Sequence, residues 1–132
     1  MKDLFAVAKG NNCAANQVLY NLEHRGVQFD LAAWCDQKKI PIMAYSPLGQ
    51  GHGLLTNSTL TKVAKRHSAS AAQIALAWLL HQHNVITIPK ATREEHVRDN
   101  ARSIDIQLDK NDLEDLDKEF PPPKSKQSLS MA

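Results

Sequence analysis

Three short apolar runs, at residues 13–20, 40–45 and 85–88, are separated by longer stretches whose apolar residues recur at helical spacing. Strand-like and helix-like segments alternating in this way predict parallel β/α architecture, since neighbouring parallel strands need a crossover long enough to hold a helix. The middle run ends abruptly: Ile42-Met43-Ala44-Tyr45 passes straight into Ser46-Pro47-Leu48-Gly49. That pattern reads as a buried strand presenting an aromatic ring at its C-terminal end. The small residues after it let the backbone approach a ligand closely.

Capping and punctuation divide the rest. Residues 2–9 read as the end of a helix closed by Gly10-Asn11-Asn12. Asp30 is placed to cap a helix carrying Leu31, Trp34 and Cys35 on one face, at i, i+3 and i+4. A glycine-bearing loop over 46–56 leads to a helix with Leu60, Val63, Ala64 and His67 on one stripe. Ser70 and Gln73 form a capping box for the next helix, whose Ile74, Leu76, Trp78, Leu79 and Leu80 mark it as well buried. Thr92 and Glu95 form another box ahead of a helix bearing Val97, Ala101 and Ile104. Asp109 caps a last helix, with Leu108 and Leu113 as a hydrophobic staple, and Pro121-Pro122-Pro123 ends it. Two helices thus stand in succession between the second and third strands.

The length of 132 residues suits one domain, and 42% hydrophobic with 23% charged residues describes a globular chain. A net charge of +2 gives no reason to expect a nucleic-acid or membrane surface as partner. No apolar run approaches a membrane span and residues 1–15 lack a signal-peptide layout, so the expected location is cytoplasmic. Cys13 and Cys35 lack short-spaced metal partners and read as buried free thiols. His81 and His83 are the only close histidine pair, and a solvated helix end explains them better than a metal site. No nucleophile motif is present.

The run Ile42–Gly49 resembles the seventh strand and following loop of the aldo-keto reductases. Asn16-Gln17-Val18-Leu19-Tyr20-Asn21 upstream and Ile88-Pro89-Lys90 downstream match in order and rough spacing. The resemblance covers nearly the whole chain but only the C-terminal, cofactor-binding half of the family's barrel. It implies an α/β fold: the C-terminal part of a (β/α)8 TIM barrel, with three parallel strands, an extra helix between strands 7 and 8, and another after helix 8. Residues 1–120 are the expected half-barrel and 121–132 an exposed tail, with the chain beginning inside the fifth helix.

The resemblance also implies a cofactor, NADP(H), with a weaker case for NAD(H). Gln17 is expected to hydrogen-bond the nicotinamide carboxamide, since an amide offers both donor and acceptor. Tyr45 is expected to stack on the nicotinamide ring. Ser46, Leu48, Gly49 and Gly51 belong to a loop folding over the pyrophosphate. Taken alone, such glycines fit an ordinary flexible loop equally well. Lys90 is expected at the adenosine 2′-phosphate, supported by Arg93 and His96, with Asp99 and Asn100 toward the adenine. The chain departs from the family pattern at Ala91, where Ser is usual, and at His96, where Arg is common. Tyr20 is placed by the motif on the substrate side of the pocket.

In the intact family, hydride passes from the nicotinamide to an aldehyde or ketone while a tyrosine supplies the proton. That tyrosine and its Asp, Lys and His neighbours belong to the other half, so no catalytic and no metal-ligating residue is assigned here. Three parallel strands taken from a barrel leave open edges and an uncovered face. The expected partners are the missing N-terminal half-barrel or a second copy through self-association. The favoured reading is a truncated reductase that is not catalytic alone, and the alternative is a non-catalytic cofactor-binding or barrel-complementing, self-associating half-barrel.

Overall fold

The computed structural model describes residues 13–49, 53–126 and 128. The helix expected over 2–9 and its Gly10-Asn11-Asn12 stop lie outside the described residues. The elements are β1 (Asn16–Leu19), α1 (Leu31–Gln37), β2 (Ile42–Tyr45), α2 (Ser58–Arg66), α3 (Ala71–His81), β3 (Val85–Thr87), α4 (Glu94–Arg102) and α5 (Lys110–Glu119). Short 3-10 turns occupy Gly26–Gln28, Leu54–Thr56 and Ser103–Asp105. The strands form one parallel sheet in the order β1-β2-β3, with α2 and α3 both between β2 and β3.

Strand periodicity assigns the two faces of this sheet. Asn16, Val18, Ile42 and Ala44 are buried on the face that meets the helices. Val18, Ile42 and Ala44 join Leu60 and Val63 of α2, Ile74 and Trp78 of α3, and Leu116 of α5 in one core. Helix α3 is the hub of this layer. Ile74 to Leu79 are all buried, as a helix apolar on every side requires, and α3 touches β3, α2 and α4. The opposite face is largely open. In-register Gln17, Met43 and Ile86 form one row across it and Leu19 and Tyr45 the next. Leu19 is covered, whereas Gln17 and Ile86 are exposed and Met43 and Tyr45 half-buried.

Helix α4 repeats the asymmetry. Val97 is 52% exposed and α4 has no buried residue, while Ile104, expected on the same helix, falls just beyond it in the Ser103–Asp105 turn and is 70% exposed. Parallel sheets are usually covered on both faces, and an amphipathic helix usually buries its apolar stripe.

Several local expectations need correction. Asp30 holds the N-cap position of α1, but its side chain accepts no capping hydrogen bond; it lies 2.7 Å from Lys126 Nζ. The Thr92–Glu95 box does not form. Helix α4 starts at Glu94 with Arg93 at the N-cap, which places Glu95 one position too early to reach back. Leu80 is 38% exposed, because it falls on the α3 side facing the groove beside α4. The other two caps hold: Ser70 with Gln73, and Asp109 with Asp112, are reciprocal boxes. Leu108 and Leu113 both pack on the core, as a staple should. Cys35 is buried and Cys13 half-buried, and neither is bridged.

Candidate functional site

The chemistry-bearing residues cluster where the strands end. Gln17 and Tyr45 share the open face as diagonal neighbours, because Gln17 pairs with Met43 two residues before Tyr45. The polar amide therefore stands beside an aromatic ring on a surface that no helix occupies among the described residues.

Immediately after Tyr45 the backbone turns sharply. Ser46 adopts φ +47°, and its carbonyl accepts the Gly49 N–H at 3.1 Å, closing a tight turn over Ser46-Pro47-Leu48-Gly49. Gly49 itself is at φ +72°, where a side chain is strained, and a Cβ there would stand 3.4 Å from a Glu23 carboxylate oxygen. Leu48 packs against the core. Gly51 lies outside the described residues, together with Gln50 and His52 beside it.

The third strand delivers the charged part. Lys90 follows Pro89 and is exposed; among the described residues it makes no hydrogen bond or ion pair. Arg93 is the N-cap of α4, and its guanidinium meets only the His96 ring, again among the described residues. Glu94 in the first turn is engaged by Arg98. With no side chain capping α4, its first N–H groups are open beside two cations, a donor set that suits a phosphate. Asp99 pairs with Arg102 at 3.2 Å, and its carbonyl accepts from Gln73 Nε2 at 3.0 Å. Asn100 lines an apolar groove of about 360 Å³ with Pro89, Ala91, Val97 and Ile104.

Tyr20 is a correction. By alternation it follows Asn16 and Val18 onto the helix face, where it is 1% exposed with its ring edge-on to Trp78 at a centroid distance of 5.7 Å. Its hydroxyl accepts from Gln28 Nε2 at 2.7 Å. Burial pushes its pKa up to about 12, against smaller lowering effects of Gln28 and Arg25. It is a core residue and not part of a substrate pocket. His83 Nδ1 lies 2.9 Å from Asp36 Oδ1, and the described residues hold no group of three or more His, Cys, Asp or Glu side chains placed to hold a metal ion. No helix among them is long and apolar enough to cross a membrane.

One residue that carries the site's geometry had no role in the sequence reading. Asn21 is fully buried and links the loop after β1 to the turn after β2. The available signal was a lone Asn directly after a strand, the usual place for an Asx turn.

Comparison with known proteins identifies the family. The model of the aldo/keto reductase family matches residues 6–119. Methylglyoxal reductase YeaE of Escherichia coli is 44% identical over 135 residues, covering 99% of this chain and 48% of that protein. Glyoxal reductase of Bacillus subtilis is 40% identical over 102 residues, covering 77% and 36%. A crystal structure of an aldo-keto reductase from Klebsiella pneumoniae in complex with NADPH superimposes with a TM-score of 0.94 at 41% identity, again over 99% of this chain and 48% of the other. The chain thus spans about half the length of these fuller relatives. Three parallel strands, the order of helices between them and the matched segments together place this chain in the aldo/keto reductase family.

Proposed function

We propose that this chain is the C-terminal, NADP(H)-binding part of an aldo-keto reductase barrel, an oxidoreductase that reduces aldehydes or ketones when its barrel is whole. The observation that carries the reading is the sharing of one open sheet face by Gln17 and Tyr45, with the exposed Lys90–Arg93 turn at the same end of the sheet. When bound, the nicotinamide supplies a hydride. Gln17 offers a donor and an acceptor to a carboxamide, and Tyr45 offers a ring face that orients a flat heterocycle. Lys90, Arg93 and the open first turn of α4 supply charge and donors to a 2′-phosphate, which NADP has and NAD lacks. The K. pneumoniae protein crystallised with NADPH, and the glyoxal and methylglyoxal reductases among the relatives point to small oxoaldehydes for the whole enzyme.

The proton for the substrate oxygen has no source in these residues. Of the chain's two tyrosines, Tyr20 is locked in the core and Tyr45 is assigned to stacking. General acid help is worth about 10²–10⁴ in rate. Purified chain is therefore expected to leave NADPH unconsumed with phenylglyoxal; turnover at the rate of an intact reductase would sink this part of the reading. The bare sheet face and the exposed Val97–Ile104 stripe favour a covering partner, which we take to be the remaining strands of a barrel, with a second copy of the chain as the other reading. Sedimentation of the pure chain separates the two: a stable dimer favours the copy.

The direct test of cofactor choice is calorimetric titration with NADPH and NADH. Lys90→Ala is expected to weaken NADPH by roughly tenfold or more, the worth of one charge-assisted hydrogen bond, and to leave NADH unchanged. Equal losses for both nucleotides would place Lys90 away from the 2′-phosphate.

A further inference from the structure

We infer that Asn21 is a positioning residue for the cofactor site, holding the turn after Tyr45 in the shape that meets the nucleotide; this rests on the cofactor reading above. The Asn21 carboxamide is fully buried with both ends in use. Its Oδ1 accepts the backbone N–H groups of Glu23 and His24, each at 3.0 Å, and faces His24 Nδ1 at 3.2 Å. Its Nδ2 donates to the Ser46 carbonyl at 2.9 Å. That same carbonyl accepts the Gly49 N–H, so one oxygen anchors both the cross-link and the turn.

The connection matters because Ser46 sits at φ +47°, a left-handed conformation that is unfavourable for an L-residue and persists only where the surroundings hold it. Ser46 directly follows the ring assigned to the nicotinamide. A relaxed Ser46 would swing the turn and change the angle of Tyr45, with no contact between Asn21 and the cofactor itself. An amide is the side chain that fits. An ionised Asp could accept from Glu23 and His24 but has no donor. Ser has a single oxygen where the amide has two ends, so it is too short to accept there and also donate across to the Ser46 oxygen.

The experiment compares wild type with Asn21→Asp and Asn21→Ser, each checked to be folded by circular dichroism. Asn21→Asp keeps the acceptor and loses the donor. Asn21→Ser keeps a local acceptor but is too short to span to the Ser46 carbonyl, carries no buried charge, and serves where the Asp variant does not fold. Expected is a loss of about tenfold in affinity for both NADPH and NADH, with their ratio unchanged. Faster hydrogen exchange at the Gly49 amide in the nucleotide-free chain should accompany it. A purely structural role would move the unfolding midpoint and leave both readouts as they are. Wild-type affinity and Gly49 protection in a folded variant would overturn the inference while the cofactor reading stands. If wild type binds neither nucleotide, the cofactor reading itself fails and this role falls with it.

Discussion

Replacing Trp78 by Ala is expected to lower stability by about 3–5 kcal/mol, the usual cost of deleting a buried aromatic ring and leaving its cavity. Trp78 is 1% exposed near the centre of α3, packed on the side of the sheet opposite the face that carries Gln17 and Tyr45. Tyr20 meets it edge-on, and the Arg25 guanidinium lies over its ring at 4.9 Å. Arg25 is itself 8% exposed, bonded to Asp117 at 2.7 Å, to Gln28 at 2.8 Å and to the Phe120 carbonyl. The ring thus joins the loop after β1, the hub helix and the end of α5. Removing it leaves a desolvated cation without its aromatic face, which adds to the cavity cost. Against a total of about 5–15 kcal/mol for an ordinary domain, most of the fold's margin would go. Urea unfolding followed by far-ultraviolet circular dichroism measures this; a loss below about 1 kcal/mol would show that the site relaxes around the gap. Trp78→Phe should recover the larger part.

The second large effect lies at Asp112, a carboxylate 1% exposed in the first turn of α5. It accepts the Asp109 N–H at 3.0 Å, Arg66 Nε at 2.9 Å and His67 Nε2 at 2.6 Å. Since a carboxylate only accepts, the His67 proton is placed on Nε2. One side chain therefore caps α5 and ties it to the end of α2. Burial pushes the Asp112 pKa up, but the bonds from His67, Asp109 and Arg66 together outweigh that and hold it below the usual carboxylate value. Breaking a buried pair from one side costs about 3–5 kcal/mol; Arg66 and His67 are partly open to water, so Asp112→Ala should cost about 2–3 kcal/mol. The pH sign follows from the depressed pKa. The stabilisation is complete above the unfolded carboxylate value near 3.9 and is lost as pH falls through the lower folded value. Wild type should therefore lose its advantage over Asp112→Asn in acid, and an advantage constant down to strongly acidic pH would contradict this.

Much of the layer order was legible in the sequence because it depends on local periodicity. The three strands, the paired helices before β3, and the Ser70 and Asp109 caps all follow from residues within a few positions of one another. The failures share a cause. Asp30 and Thr92 have the right residue type for a cap, yet helix starts are settled by neighbouring contacts as well as by the cap itself. Tyr20 was misassigned because a motif gives its place along the chain, whereas the two-residue period of the strand decides which face it takes.

For the candidate site, the sequence by itself supplied the side chains proposed to contact a nucleotide (Gln17, Tyr45, the Ser46–Gly49 turn and the cations at 90 and 93) through the segments that resemble the family. Those segments are short and local, and so are written in the chain. Only the tertiary structure decided that Gln17 and Tyr45 share an uncovered face, that Asn21 locks Ser46 from 25 residues away, and that Asp112 binds α5 to α2. It also decided that the apolar stripe of α4 stays bare. Periodicity states which side of an element is apolar, but burial requires a second surface to meet it, and that meeting is a property of the folded whole.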